Sequence, residues 1–341
     1  MSSLPEKIRA VHQPDKTSKR LVMVEAPMPK PSQPSEMLIK VKATCPCLGE
    51  LGWEANYPHM FTDAREPVPG QDVAGTVVTA PEDSGFKAGD RVFGRISASR
   101  AGGCREYTVV SKEEMAILPN GLGWTEGVAT PLSALTAWQA PFYQGTLNRE
   151  AIYGDAEAKR VNAAQRVFIA GAATSVGAWA VQFAALAGAG AVIGLCSTSS
   201  AERIKKLGAT EIVDYKKETA SDWVRQDPQR EADLVFDCVG GEGLAHLWDV
   251  VKDGGVFVSI CGDPYGAKPD GNKKSMRKKG GFFIVESLGT QLAEIAKLVV
   301  AGKASPLVDD AKFRFDQFAE AFELVESRRA RGKVVINVSE D

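Results

Sequence analysis

The sequence predicts an α/β protein in which a doubly wound parallel sheet is inserted into a β-rich unit. Three observations predict it. An apolar run, Val167-Phe168-Ile169-Ala170, passes through the turn Gly171-Ala172-Ala173-Thr174-Ser175-Val176-Gly177 into a small-residue helix marked by Ala180, Phe183, Ala184 and Ala187. Further runs rich in Val, Ile and Phe follow, with room for a helix between each pair, as a parallel sheet requires. The segments before and after this stretch alternate apolar and polar residues with period two.

The elements follow in order. Residues 35–43 alternate through Met37, Ile39, Val41 and Ala43, and Gly75-Thr76-Val77-Val78 does the same. The prolines at 27, 29, 31 and 34 connect strands. Lys87-Ala88-Gly89-Asp90 turns the chain into a strand at Arg91-Val92-Phe93-Gly94, and Glu106-Tyr107-Thr108-Val109-Val110 adds another. Beyond the glycine turn come strands at 191–196, 211–215, 233–239 and 255–261, the last two stopped by Gly240-Gly241 and Gly262. A helix follows with Leu292, Ile295, Ala296 and Val299 on one face. Another starts at Asp316, a suitable N-cap, and runs through Phe318, Phe322 and Val325. Residues 332–338 form a closing strand.

Composition bounds the function. The chain has 341 residues, enough for two domains, with 25% charged residues and a net charge of −2. That balance argues against a nucleic-acid footprint. No run of about 18 apolar residues exists to span a membrane. Six unclustered cysteines read as reduced thiols, and the N-terminus shows neither an apolar signal core nor an Arg-rich presequence, so a cytoplasmic location is expected. Residues 146–166 are a charged connection that either shapes a partner surface or is a solvated loop. The basic run at 273–279 reads as a solvated loop or as an attractor for an anionic ligand.

The glycine turn between strand and helix is an anion cradle, because the first N–H groups of the helix lack internal partners and carry the positive end of its dipole. The middle glycine of the usual dinucleotide fingerprint is replaced by Thr174-Ser175, whose hydroxyls could themselves bond phosphate oxygen. The next strand ends in Ser197-Thr198-Ser199-Ser200, where an NAD site places an acid for the ribose 2′-hydroxyl. These hydroxyls, with Arg203 nearby, suit a 2′-phosphate and read as NADPH over NADH. They also suit the cap of the next helix.

A family resemblance rests on motifs in a fixed order: Gly70-Gln71-Asp72-Val73-Ala74-Gly75, Ala88-Gly89-Asp90-Arg91-Val92, Thr136-Ala137-Trp138, the turn at 171–177, Lys206-Leu207-Gly208-Ala209, Phe236-Asp237-Cys238-Val239-Gly240 and Gly332-Lys333-Val334-Val335. Together they resemble the medium-chain dehydrogenase/reductase superfamily, in its zinc-independent quinone oxidoreductase and enoyl reductase branch. The resemblance implies a GroES-like catalytic barrel over 1–133, completed by 281–341, with an NADPH-binding Rossmann domain over 134–280 between them. It also implies a homodimer.

Zinc-dependent relatives resemble the chain around Cys47-Leu48-Gly49-Glu50, but where their second ligand is histidine this sequence has Gln71 in Gly70-Gln71-Asp72. Glutamine is a poor zinc ligand. After Cys104 the chain passes straight into a strand, without the cysteine-rich lobe of a structural zinc, so no metal is expected. Cys45 and Cys47, two apart, share a face if on a strand; a metal or disulfide is conceivable, and structural thiols are the reading taken.

Carried onto matching positions, the resemblance implies Tyr57, in Asn56-Tyr57-Pro58, as catalytic proton donor, beside Trp53 and His59; packing on a strand end is the alternative for Tyr57. It implies Cys47 as a cofactor-binding residue, Thr136 near the nicotinamide side of the cofactor, Thr174, Ser175 and Val176 at the pyrophosphate, and Ser197, Ser199, Arg203 and Tyr215 at the 2′-phosphate. Cys238 and Val239 would approach the ribose, and Ile260 and Cys261 the nicotinamide. Phe283 and Val285 would offer backbone groups to the carboxamide, and Lys333 is a further phosphate candidate. Without a Lewis acid, hydride transfer suits an acceptor that is already electrophilic. The expected function is an NADPH-dependent, zinc-free reductase of quinones or α,β-unsaturated carbonyls. The alternatives are an enoyl-thioester reductase of lipid or polyketide metabolism and a catalytically silent NADPH-binding sensor or structural protein.

Overall fold

The chain divides into two units, Met1–Leu135 with Glu286–Asp341, and Thr136–Val285. The computed structural model describes residues 4–61, 65–277 and 279–339. In chain order, the first unit opens with β1 (Lys7–His12), β2 (Val22–Pro27), β3 (Glu36–Cys45) and a short helix α1 (Trp53–Asn56). It continues through β4 (Asp72–Thr79), β5 (Arg91–Arg95), β6 (Tyr107–Ser111), β7 (Met115–Ile117) and α2 (Trp124–Ala129). Helix α3 (Pro131–Gln139) carries the chain across the boundary at Leu135.

The second unit contains α4 (Ala156–Ala163), β8 (Arg166–Ala170), α5 (Ser175–Leu186), β9 (Ala191–Cys196), α6 (Thr198–Lys206), β10 (Glu211–Asp214) and α7 (Ala220–Arg225). It ends with β11 (Ala232–Asp237), α8 (Gly243–Val250), β12 (Val251–Ser259) and β13 (Gly281–Phe282). The first unit is then completed by α9 (Gly289–Val300), β14 (Val308–Arg314), α10 (Phe318–Glu326) and β15 (Lys333–Asn337).

The first unit's main sheet has the order β14-β15-β3-β4-β5-β7, with β6 also paired to β3. The closing strand β15 sets Ile336 opposite Thr44 and Asn337 opposite Ala43 on β3. The alternation read from the sequence is the reason: Met37, Ile39 and Val41 of β3, Val73 and Val77 of β4, and Val334 and Ile336 of β15 share one buried core with Phe315 and Phe322. Burying such side chains contributes about 1.5–3 kcal/mol each.

The second unit's sheet runs β10-β9-β8-β11-β12-β13, all pairs parallel. Chain order reverses between β8 and β11, and ligands of such sheets bind outside the carboxyl ends at that reversal. The strands read as near-continuous apolar runs because both faces are covered. Phe168, Ile193, Val235 and Phe257 pack with Trp223 and Trp248.

Two connections differ from their sequence reading. Residues 146–166 are structured, with a 3-10 turn at Arg149–Tyr153 before α4. Asp155 caps α4 by accepting from the Ala158 N–H at 2.7 Å. The helix buries Ala158 and Asn162, a face with little apolar signal, and the Asn162 amide bonds the carbonyls of Asn148 and Ala187, each at 2.8 Å. In the basic run, Lys274 turns inward and donates to Glu231 and to the carbonyls of Asp249 and Val251, each at 2.7 Å. Lys278 lies outside the described residues. Among the described residues, no helix is long and apolar enough to cross a membrane.

Candidate cofactor and active site

The cradle in the second unit is built by its glycines. Gly171 has φ +76°, and a Cβ there would stand 2.6 Å from Val239 Cγ2. A Cβ on Gly177 would stand 2.1 Å from the Gly171 carbonyl oxygen, so only glycine lets α5 pack onto the turn it leaves. The Thr174 hydroxyl accepts from the Gly177 N–H at 3.0 Å as the N-cap of α5 and keeps its own proton for a second bond. The half-buried Ser175 and Val176 stand in the first turn, where N–H groups lack helical partners. The residues fit a pyrophosphate.

At the end of β9, Ser197 and Ser199 place their hydroxyls 3.0 Å apart. Thr198, which starts α6, donates its hydroxyl to Asp214, at the end of the adjacent β10. That bond and the Lys216 N–H, 3.0 Å away, hold the Asp214 carboxyl below the usual range. Tyr215 follows and is 58% exposed, and Arg203 lies half-buried on α6. No signal in the β9 sequence pointed to Asp214, because it arrives from the next strand.

Asp237 is a further residue that sequence reasoning passed over. Its buried carboxylate accepts from the Val239 N–H, the Gly240 N–H and the Ser259 hydroxyl at 3.1, 3.0 and 2.8 Å. Burial nevertheless raises its pKa. These bonds end β11 two residues earlier than its apolar run and fold Cys238 and Val239 into a turn at the carboxyl end. Val239 is 57% exposed. The Val239 N–H already serves Asp237. On the neighbouring strand end Ile260 is half-buried and Cys261 exposed. The Phe283 N–H donates to Ser259 O at 3.1 Å, so of its backbone groups only the carbonyl remains for a ligand. Val285 is half-buried. Thr136 is buried on α3.

The first unit gathers a second group. Cys47 lies half-buried in the loop after β3, not on the strand with Cys45, and all six cysteines are free thiols. Glu50, almost fully buried, accepts from the Cys47 N–H at 2.8 Å and the Gly70 N–H at 2.7 Å. Burial pushes its pKa up to about 7 despite those donors, and pushes the Cys47 thiol up to about 12. Asp72 accepts from the Leu132 N–H at 2.6 Å and pairs with Lys333 Nζ at 2.7 Å. Lys333 therefore does not serve as a phosphate residue here. Its ammonium is buried, committed to Asp72 and close to the Pro46 carbonyl at 3.4 Å.

Tyr57 follows α1, its N–H bonded to Trp53 O at 2.8 Å, and is 40% exposed. Trp53, Glu50, Phe61 and Gln71 line one small cavity, which Tyr57 does not line. His59 is exposed.

A dinucleotide cradle on a parallel sheet, in a chain that also carries a β-rich unit, defines a nicotinamide-dependent oxidoreductase. Residues 33–139 match the alcohol dehydrogenase GroES-like domain, and residues 207–336 match a zinc-binding dehydrogenase model. A probable zinc-binding oxidoreductase, mitochondrial, from Arthroderma benhamiae is 44% identical over 339 residues, covering 99% of each chain. NAD(P)H oxidoreductase RTN4IP1, mitochondrial, from Danio rerio is 33% identical, covering 80% of this chain and 72% of that protein. The 2-methylene-furan-3-one reductase of Solanum lycopersicum is 31% identical, covering 98% and 80%. The fold is shared with the quinone oxidoreductase from Coxiella burnetii, 22% identical with a TM-score of 0.78, covering 98% and 100%. The chain belongs to the medium-chain dehydrogenase/reductase superfamily.

The relatives correct the cytoplasmic expectation, since the first two are named as mitochondrial. Zinc, named both in the dehydrogenase model and for the Arthroderma benhamiae relative, does not suit the residues here. Zinc is held by thiolate, imidazole and carboxylate ligands, and the position after Gly70 offers an amide instead. The Gln71 amide nitrogen sits against the carbonyls of Ile96 and Ser97, at 2.8 and 3.1 Å, and donates to them. Lys333 already neutralises Asp72. Among the described residues, no group of three or more His, Cys, Asp or Glu side chains is placed to hold a metal.

Proposed function

We propose that this protein is an NADPH-dependent reductase that delivers hydride to quinones or α,β-unsaturated carbonyls without zinc, and that it works in mitochondria. The observation that carries the reading is the glycine cradle of α5 beside a β9 end bearing hydroxyls and no acid. The names of the relatives, an NAD(P)H oxidoreductase and an exocyclic-enone reductase, support the acceptor class.

The Ser175 and Val176 N–H groups would hold the pyrophosphate, and Ser197, Ser199, Arg203 and Tyr215 the 2′-phosphate. When bound, the nicotinamide supplies the hydride. Reduction of an enone leaves negative charge on the carbonyl oxygen, and hydrogen-bond donors nearby stabilise it. Tyr57, whose hydroxyl has no recorded partner among the described residues, would hold the proton that completes the reduction. Asp237 would keep the turn at Cys238 and Val239 in shape.

The test is NADPH oxidation by chelator-treated protein across a panel of quinones, enones and enoyl thioesters, with NADH and Tyr57→Phe in parallel. Turnover that survives the chelator, with a 10²–10⁴-fold loss of kcat in Tyr57→Phe, is the expected result. Tight NADPH binding with no turnover on any acceptor overturns the enzyme reading in favour of a sensing or structural role.

A further inference from the structure

The geometry points to Asp214 as the residue that tunes the choice between a 2′-phosphate and a 2′-hydroxyl, acting through Thr198, so that the preference for NADPH is weaker than the β9 hydroxyls alone would make it. The inference rests on the nucleotide reading above and deepens it.

An acid at the end of the second strand is the usual holder of the ribose 2′-hydroxyl. Strand β9 offers none. Strand β10 lies parallel to β9 with Asp214 directly opposite Cys196, the last residue of β9. A carboxylate thus reaches the same corner from one strand further along. It meets the first residue of α6, and the Thr198 hydroxyl donates to it.

Its remaining neighbours are the Lys216 N–H at 3.0 Å and Lys217 Nζ at 4.0 Å, and the side chain stays 12% exposed. Held by these donors, the carboxyl is charged at neutral pH.

The proton count decides what the corner can bind. A hydroxyl has one proton and two lone pairs. Thr198 spends its proton on Asp214 and presents only lone pairs, which accept from a ribose hydroxyl and repel phosphate oxygens. Ser197 and Ser199 spend one proton on each other and keep one. Of the four hydroxyls at 197–200, the three engaged in these bonds therefore keep one proton for a phosphate. The Asp214 charge opposes the same phosphate at short range. Arg203 on α6 is the counterweight, together with the Lys216 and Lys217 charges that face the carboxylate, and the balance leaves a modest preference for NADPH.

The experiment is calorimetric titration of the full chain with ADP and with 2′,5′-ADP, which differ only in the 2′-phosphate. Asp214→Asn removes the charge and keeps one acceptor oxygen, for Thr198 or for the Lys216 N–H, with the amide nitrogen facing the other. It should tighten 2′,5′-ADP by about five- to tenfold, the scale of one near-surface charge contact, and move ADP by less than about twofold. The NADPH-to-NADH ratio of kcat/KM should rise by the same factor. Thr198→Val, which leaves the charge in place, should not tighten 2′,5′-ADP. An Asp214→Asn variant with an unchanged 2′,5′-ADP-to-ADP ratio, or with both affinities moved equally, overturns this inference alone. Wild-type protein that binds neither nucleotide overturns the cofactor reading and this inference with it.

Discussion

The pair Asp72–Lys333 is a buried ion pair whose removal can be costed from its surroundings. The two side chains are 0% and 6% exposed and 2.7 Å apart. Lys333→Met leaves the Asp72 carboxylate in the core with the Leu132 N–H as a remaining donor, and takes the ammonium from the Pro46 carbonyl. Breaking a buried pair from one side costs about 3–5 kcal/mol. The unit that contains it has about 190 residues. At about 2.1 cal/mol/K of unfolding entropy per residue, its transition gains about 0.4 kcal/mol per kelvin, so Tm should fall by about 8–12 °C.

Scanning calorimetry reads this directly. Asp72→Asn/Lys333→Met removes both charges and keeps an acceptor for Leu132, so it should recover at least half of the loss. A single-variant cost below about 1 kcal/mol, or a double variant equal to the sum of its singles, would refute the argument that charge pairing holds this corner.

Two further predictions concern Glu50 and the glycines. The folded pKa of Glu50, about 7 through burial, lies above its unfolded value of about 4.3. The folded state therefore holds the proton longer. This group's contribution to stability is whole below about pH 4 and declines as pH rises through about 7. Between pH 5 and pH 8, urea unfolding should show wild type losing about 2 kcal/mol more than Glu50→Gln; equal losses would exclude the shift. Gly177→Ala places a Cβ 2.1 Å from the Gly171 carbonyl and should lower NADPH affinity at least about tenfold by calorimetry and cost about 2–3 kcal/mol in stability. Gly243→Ala meets nothing within 4 Å and should leave both within about 0.5 kcal/mol.

Much of the fold was legible because its signals are local. The strand expected at 191–196 is β9 to the residue, and the turn at 171–177 is the start of α5. β11 stops at Asp237 and not at Val239, because the Asp237 side chain takes the backbone donors of Val239 and Gly240 that would have continued it. Helix α4 was unread because its buried face is an alanine and an asparagine, which no apolar period reports. At the site, the glycines were readable and the hydroxyl directions were not. Lys333 looked available in the sequence, yet it neutralises Asp72, and Thr174 divides its hydroxyl between the cap of α5 and any ligand. Those commitments are made by neighbours remote in sequence or by the local helix start, and residue type alone does not assign them.

The position of Lys333 also bears on how the protein is made. Lys333 follows Pro46, which it meets in the finished core, by 287 residues. Synthesis at roughly 5–20 residues per second puts an interval of roughly 14 to 57 seconds between them, during which the second unit emerges whole. For that time β3 lacks its β15 neighbour, and the Asp72 carboxylate has only Arg95, opposite it on β5, and not Lys333 to enter the core with. A nascent chain in this interval exposes an unpaired strand edge beside a charge, a form that holding chaperones would recognise and that a ribosome stalled before Lys333 would leave unfinished.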